Sequence, residues 1–331
     1  MHYRKLGNTG MEVSEIAFGG GNNGGILFRP PPAVRLEAVR HALELGINWF
    51  DSAPAYGDGQ SEENLGWALK ELGANPHVST KVSIPASEMG DLKGGALRSA
   101  ERSLARLGRS SVDVLQIHHP ITLKRGTRRN SISVEDVLGP GGVLDALREL
   151  KAQGHVRFFG FTGLGETEAI HALVRSGQLN TVQVYYNLLN PSAGEAVPAG
   201  FSAQDYRQLI PLAVSQGMGV LAIRTLAGGA LAGQARVGSA GHTLSPGSEY
   251  PVDQKRAEVV RQALLEEPNT LPEVAMRFVL ANPQVSTVLV GFAALEHIDQ
   301  AVRLSGTPGL SAASLAKLQA LYASDFSGDH S

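Results

Sequence analysis

The chain of 331 residues contains no cysteine. That absence excludes disulfides, thiolate metal sites and cysteine nucleophiles together, so redox chemistry would require a bound cofactor. Net charge is also nearly absent: 29 Lys and Arg against 31 Asp and Glu give -2, and no basic block dominates. Neither nucleic acid nor an anionic membrane is therefore expected as a partner. Nowhere do about 18 apolar residues run consecutively, and the opening Met1-His-Tyr-Arg-Lys-Leu-Gly is not followed by an uninterrupted apolar stretch, so the expectation is a cytoplasmic protein without a membrane span. No spaced His/Asp ligand set occurs, and no metal is expected. Linkers, low-complexity tracts and a second core are missing as well, which leaves residues 1–331 as one expected domain.

What is present is a regular alternation. Short apolar runs occupy Ile16 to Gly20, Asn48 to Ser52, Val78 to Val82, Val112 to His118, Val156 to Thr162, Thr181 to Asn187, Gly219 to Arg224 and Val285 to Gly291. Between them lie segments of helical period: Leu36, Val39 and Leu43; Val143, Leu147 and Leu150; Leu295, Ile298 and Val302. Thr270-Leu-Pro-Glu reads as a capping box with proline in the first helical turn. Runs that are apolar on both parities are buried on both faces, as a parallel sheet covered by helices requires. Eight such units predict a single (β/α)8 TIM barrel of the α/β class. Ahead of them, Tyr3 to Ile16 reads as an N-terminal hairpin around Gly7-Asn8-Thr9-Gly10, suited to closing the barrel floor. Three connections exceed what a loop needs: Pro120 to Gly142, Asn190 to Ser202 and Ala227 to Pro251. They follow strands four, six and seven, on the face where such barrels carry their sites, and are expected to cover substrate and cofactor.

Three runs end in reactive side chains. Asn48 to Gly57 spells Asn-Trp-Phe-Asp-Ser-Ala-Pro-Ala-Tyr-Gly, so Asp51 and Tyr56 leave the second run; Lys81 lies near the end of the third and His118 ends the fourth. A carbonyl accepting hydride develops negative charge on oxygen and needs both a proton donor and a polar pocket there. A tyrosine hydroxyl can serve as both, and a neighbouring ammonium makes a phenol more acidic by favouring the phenolate. Lys81 can supply that charge, Asp51 can keep a buried lysine charged, and His118 can donate from a ring nitrogen to the substrate oxygen. The four converge only on parallel, adjacent strands. Taken singly, Asp51 with Lys81 also fits a structural ion pair, Tyr56 a loop anchor and His118 a hydrogen-bonded core histidine.

The pieces Asp51-Ser-Ala-Pro-Ala-Tyr56-Gly57, Ser79-Thr80-Lys81, Gln116-Ile117-His118-His119-Pro120 and Gly154-His-Val-Arg-Phe-Phe-Gly160 resemble, in this order and spacing, the aldo-keto reductase superfamily over nearly the whole chain. The resemblance implies a catalytic tetrad of Asp51, Tyr56, Lys81 and His118, with Tyr56 as general acid in reduction and general base in oxidation. It also implies NADPH or NADH bound in extended form at the barrel mouth, and hydride transfer between nicotinamide and an aldehyde or ketone. Gly160-Phe-Thr-Gly163-Leu-Gly is similar to the branch that oxidises aldoses at carbon one, so a small carbonyl compound or sugar is the expected substrate. Channel-associated members of the family keep barrel and cofactor but act by binding a partner, and a regulatory redox subunit is the alternative.

Several cofactor positions depart from the family pattern. Thr162-Gly163 stands where many relatives have Ser-Asn: Thr162 keeps a hydroxyl for the carboxamide, Gly163 has no amide, and Gln183 matches the glutamine that holds the same group. After strand seven, Ile223-Arg224-Thr225-Leu226 replaces aromatic-Ser-Pro-Leu, so Ile223 offers an aliphatic face to nicotinamide and Arg224 brings a charge near phosphate or substrate; Leu226 and Gly228 complete this cofactor stretch. In the eighth unit Gly291, Phe292, His297 and Gln300 occupy the segment that wraps the adenosine 2'-phosphate, and His297 is its one candidate cation. NADP(H) is favoured by the resemblance, and NAD(H) stays open.

Asn22 and Trp49 are expected to line the substrate pocket, and His119 reads equally as pocket lining or as core, since adjacent strand residues face opposite sides and His119 cannot readily share a ligand with His118. Gly19-Gly20-Gly21-Asn22-Asn23-Gly24 satisfies a Gly-x-Gly-x-x-Gly pattern, but Pro30-Pro31-Pro32 intervenes before the helix, so it reads as a loop at the barrel mouth. No tyrosine is followed four positions later by lysine, which removes the short-chain dehydrogenase pattern. Lys124, Arg125, Arg128 and Arg129 form a basic cluster that is either solvated or meets an acidic substrate.

Overall fold

The structure, a computed structural model, describes residues 1–232, 249–264 and 270–327. Eight parallel strands close into a barrel: β1 (Ile16–Gly19), β2 (Trp49–Asp51), β3 (His77–Val82), β4 (Val112–Ile117), β5 (Val156–Thr162), β6 (Thr181–Tyr185), β7 (Gly219–Ile223) and β8 (Thr287–Gly291). Each pairs with its sequence neighbours, and β8 closes on β1 through Val288 with Ile16 and Leu289 with Ala17. The eight expected runs are these strands. The sixth stops at Tyr185 rather than Asn187, because the Asn187 side chain turns back to accept from Leu189 and Asn190 N–H groups. The fourth stops at Ile117 and leaves His118 at its exit.

Helices Pro32–Glu44, Val143–Ala152 and Leu295–Val302 form where the three- and four-residue steps predict them. The Glu273 carboxylate accepts the Thr270 N–H at 2.8 Å, which closes the expected start of helix Leu271–Leu280. Among the described residues no helix is long and apolar enough to cross a membrane.

The hairpin pairs Tyr3–Lys5 with Glu12–Ser14 and carries its apolar side chains into the barrel floor. There Leu6, Met11 and Val13 pack with Ala17, Trp49, Val114 and Leu221. Its turn lies against β7: Asn8 N–H donates to Gly217 O at 2.9 Å, and a Cβ on Gly7 would stand 2.3 Å from Gly219 N. Only glycine permits that approach, and Gly7 also has a positive φ of 49°. Arg4 fixes the hairpin to the far end of the chain by donating to the carbonyls of Leu280 and Val285 at 2.7 and 2.8 Å.

The connection Pro120 to Gly142 has structure of its own. Ile121–Thr122 pairs in parallel with Ile132–Ser133, and Ser133 with Asp136 forms a capping box on helix Val134–Leu138. Asp136 also takes both ends of the Arg125 guanidinium, so one member of the basic cluster is occupied structurally. The connection after β7, between Ala232 and Glu249, lies outside the described residues.

Leu6 has no exposure at the floor, whereas Leu123 is 58% exposed. Leu6→Ala is expected to cost about 2–5 kcal/mol by leaving a cavity under the barrel, and Leu123→Ala less than about 0.5 kcal/mol, both read from denaturant midpoints. Equal midpoints for the two variants would show that the hairpin does not seal a packed floor.

Candidate active site

Alternate residues of a strand share a face, so β2 contributes Trp49 and Asp51 to the interior at different depths, and β3 contributes Ser79 and Lys81. Asp51 lies in register with Ser79, and Lys81 with Gln116. One Asp51 oxygen accepts from Lys81 Nζ at 2.5 Å; the other accepts from Ser79 Oγ at 2.7 Å and Gln183 Nε2 at 3.0 Å. Gln183 in turn accepts from Thr162 Oγ1 at 3.0 Å. Lys81 also donates to Ser52 O at 2.8 Å, and its Nζ stands 4.7 Å from the centre of the Tyr56 ring. Burial alone would lower the pKa of the Lys81 ammonium, but the Asp51 carboxylate and the Tyr56 phenol outweigh it and hold it above the ordinary lysine value.

Tyr56 rides on the loop between β2 and helix Gln60–Glu71, which turns through positive φ at Gly57, Asp58 and Gly59. Gly57 has no room for a side chain, since a Cβ would stand 2.7 Å from the Phe28 ring. Its N–H donates to Asn22 Oδ1 at 2.9 Å. The Tyr56 ring meets His118 edge-on, with centroids 5.9 Å apart. Burial first, and then the Lys81 charge, pull His118 down to about 3, so its imidazole is neutral and keeps one N–H to donate. A phenol, a neutral imidazole and a fixed ammonium thus meet at the C-terminal ends of β2 to β4. Together they can receive a carbonyl oxygen, protonate it and stabilise the charge that develops.

The four tetrad candidates are brought together, but two other expected residues, Trp49 and Phe292, do not face the mouth, and His119 takes the core one of its two expected places. Trp49 has no exposure and lies in the floor cluster, because it precedes Asp51 by two residues and so sits deeper in the barrel. His119 is a core histidine: Nε2 accepts from Ile84 N–H and Nδ1 bonds Asn130 O, both at 2.8 Å, which leaves no ring nitrogen for substrate. Phe292 is fully buried with its ring packed edge-on against Phe18, so its side chain is unavailable to a cofactor. Asn22 is exposed at the mouth, and its side-chain oxygen fastens the Tyr56 loop.

Among the cofactor candidates, Thr162 and Gln183 spend a hydrogen bond on the Asp51 network, and Gly163 N–H donates to Gln183 O at 2.8 Å. Ile223 ends β7 half-buried; Arg224 follows with a positive φ of 60°. Leu226 is half-buried, and Gly228 sits in the turn Ala227–Ala232. Gly291 is exposed at the end of β8; His297 and Gln300 lie on helix Leu295–Val302, where His297 Nδ1 accepts from Ala293 N–H at 3.4 Å. Two residues escaped the sequence reading. Ser79 shares the face of Lys81 two residues away, a signal that was legible; Thr225, buried two residues beyond the end of β7, had no such signal.

The family profile described as "Aldo/keto reductase family" matches residues 15–323. The chain is 29% identical over 311 residues to an L-galactose dehydrogenase of Arabidopsis thaliana, covering 90% of this chain and 86% of that one. It is 27% identical over 326 residues to a putative voltage-gated potassium channel subunit beta of Schizosaccharomyces pombe, covering 91% and 87%. In structure it is similar to an aldo-keto reductase from Klebsiella pneumoniae in complex with NADPH, with a TM-score of 0.69 at 23% identity, covering 98% of this chain and 96% of that one.

The neutral state of His118 has a consequence for acid stability. An unfolded histidine titrates at about 6.5, so as pH falls from about 6.5 toward about 3 the unfolded chain takes up a proton that the folded chain refuses, and stability drops; above 6.5 the contribution is complete. His118→Gln is expected to lose less stability than the parent between about pH 7.5 and about pH 4.5, measured as denaturant midpoints. Equal acid losses would mean that the folded imidazole titrates normally.

Proposed function

The chain belongs to the aldo/keto reductase family, whose members are NAD(P)H-dependent oxidoreductases, and from that premise we propose that Tyr56 exchanges a proton with a carbonyl or aldose substrate while hydride passes to or from nicotinamide. The observation that carries this reading is the stacked order at the mouth: Tyr56 over Lys81, Lys81 on Asp51, and neutral His118 against the Tyr56 edge.

The mouth residues fit an extended dinucleotide. Thr225 Oγ1 is buried without a hydrogen-bond partner among the described residues, next to Arg224 and a turn in which Gly228 and Gly229 both have positive φ. Helix Leu295–Val302 begins at Ala294 with no side-chain cap, so its first N–H groups are open to a phosphate. Thr162, Gly163, Gln183 and Ile223 would hold the nicotinamide end, Arg224, Thr225, Leu226 and Gly228 the central phosphates, and Gly291, His297 and Gln300 the adenosine. When bound, the cofactor supplies or accepts the hydride.

The chain's own residues then do the following. His118 donates its N–H to the carbonyl oxygen and fixes it beside the phenol. Tyr56 O–H gives that oxygen its proton, and the Lys81 ammonium stabilises the negative charge left on the phenol oxygen. Asp51 keeps Lys81 charged away from water. In oxidation the same phenol oxygen takes the hydroxyl proton. The likeness to an L-galactose dehydrogenase supports an aldose as substrate, and the NADPH complex of the Klebsiella enzyme supports NADP(H). The complete tetrad favours turnover over a role confined to binding a partner protein.

The test is absorbance of NADPH and NADH at steady state with a panel of aldehydes and aldoses. Tyr56→Phe is expected to lower kcat by about 10²- to 10⁴-fold while the cofactor Kd, read by fluorescence quenching, changes less than about twofold. A Tyr56→Phe enzyme with the parent's kcat would sink the assignment, and no turnover by the parent would favour the partner-binding role. No Lys or Arg lies between Gly291 and Val302. His297→Arg is therefore expected to raise the NADPH to NADH ratio in kcat/KM by about tenfold or more, through one added charged hydrogen bond; an unchanged ratio would put the 2'-phosphate elsewhere.

A further inference from the structure

The loop that carries Tyr56 is held by a second polar layer behind the barrel wall. Helix Gln60–Glu71 follows that loop, and the Ser61 and Glu62 of its first turn are fully buried. Ser61 N–H donates to the Tyr56 carbonyl at 3.2 Å, and Ser61 Oγ accepts from Ser52 Oγ at 2.8 Å and donates to Gly20 O at 3.0 Å. Glu62 Oε1 accepts from Thr80 Oγ1; Glu62 Oε2 accepts from Arg106 Nε at 2.7 Å and Nη2 at 2.6 Å. Arg106 belongs to helix Leu92–Leu107. Ser52 follows Asp51, and Thr80 precedes Lys81 with its side chain on the opposite face of β3. The helix is also pressed hard against its neighbour: a Cβ on Gly66 would stand 2.2 Å from Leu107 O.

A buried carboxylate is a costly way to attach a helix to a sheet, since packed apolar residues do so equally well or better. What the carboxylate adds is direction, because each oxygen fixes one partner at hydrogen-bond distance. We propose that Glu62 is a positioning residue for the reaction: by joining the helix bonded to Tyr56 with the strand that carries Lys81, it sets where the Tyr56 hydroxyl stands over the Lys81 ammonium. The inference rests on the reading of Tyr56 as the proton-transferring group.

The experiment compares Glu62→Leu, Glu62→Gln and Thr80→Val with the parent, with Tyr56→Phe as reference, using the best substrate of the panel at saturating cofactor. Glu62→Leu is expected to lower kcat on the order of 10- to 100-fold, the scale of a misplacement of about 1 Å, with the cofactor KM within about twofold. Its solvent deuterium isotope effect on kcat should rise above the parent's as proton transfer becomes slower. Glu62→Gln can still bond both neighbours, its carbonyl accepting from Arg106 and its amide N–H donating to Thr80 Oγ1, and should recover most of kcat, whereas Thr80→Val, with the Arg106 pair intact, should lose part of it. Parent values of kcat and isotope effect in Glu62→Leu, with only melting temperature reduced, would overturn the inference; so would a Glu62→Gln enzyme as slow as Glu62→Leu. If Glu62→Leu does not fold, Thr80→Val decides: parent kcat and isotope effect there overturn the inference. An active Tyr56→Phe would instead refute the reading of Tyr56 itself, whereas an inactive Tyr56→Phe beside normal Glu62 and Thr80 variants refutes the positioning role alone.

Discussion

An ammonium withdrawn from water costs several kcal/mol unless an anion stands beside it, and Lys81 has no side-chain exposure at all. The rest of the site follows from meeting that requirement. Asp51 must lie on the adjacent parallel strand, one step along the barrel, to reach Nζ; Ser79 and Gln183 must fill the lone pairs that Lys81 leaves on the carboxylate. The barrel supplies both, because its interior is lined by every second residue of each strand. The same fixed positive charge helps to keep His118 neutral. Burial first and this ion pair second thus keep His118 neutral, and the groups around the pair define what the mouth can bind.

The barrel was legible because its strands are apolar on both parities and its helices repeat at three and four, and because β-strand direction puts the last residue of each run at one face. The convergence of Asp51, Tyr56, Lys81 and His118 was legible for the same reason: three stand at or next to the ends of runs, and Tyr56 on the loop that follows one. Depth was harder. Trp49 stands on the same face as Asp51, yet a rise of about 3.3 Å per residue carries it roughly 7 Å toward the floor, arithmetic that the sequence permitted. His119 could not be placed, since its partners are a backbone N–H at Ile84 and a carbonyl at Asn130, whose positions depend on the fold of the connection after β4. Glu62 was invisible for a different reason. An acid in the first turn of a helix ordinarily faces solvent and complements the helix dipole; nothing local announces that this one is enclosed by Thr80 and Arg106.

The glycine run that resembled a dinucleotide fingerprint has another physical cause. A Cβ on Gly20 would stand 2.5 Å from Ser61 Oγ, and one on Gly24 would stand 2.4 Å from Phe292 N. The run is a thin spacer: on one side it accepts the approach of the Tyr56 loop, and on the other that of the exit from β8. Asn22, which sits on this spacer, bonds the turn after Tyr56, so a residue expected near substrate instead holds the loop that carries Tyr56.

The seam between β8 and β1 joins Val288 to Ile16 and Leu289 to Ala17. Asp51, Tyr56, Lys81 and His118 all stand on or beside β2 to β4, but Gln183 and Thr162, which complete the Asp51 network, belong to β6 and β5, and β8 supplies the wall that closes the barrel. The seam brings together strands from opposite ends of the barrel sequence, so its closure carries a large loop-closure cost. A barrel left open at that seam would still carry the four reactive side chains, but without a closed ring to hold Gln183 and Thr162 against the Asp51 carboxylate, so the geometry of the mouth depends on a contact made on the other side of the barrel.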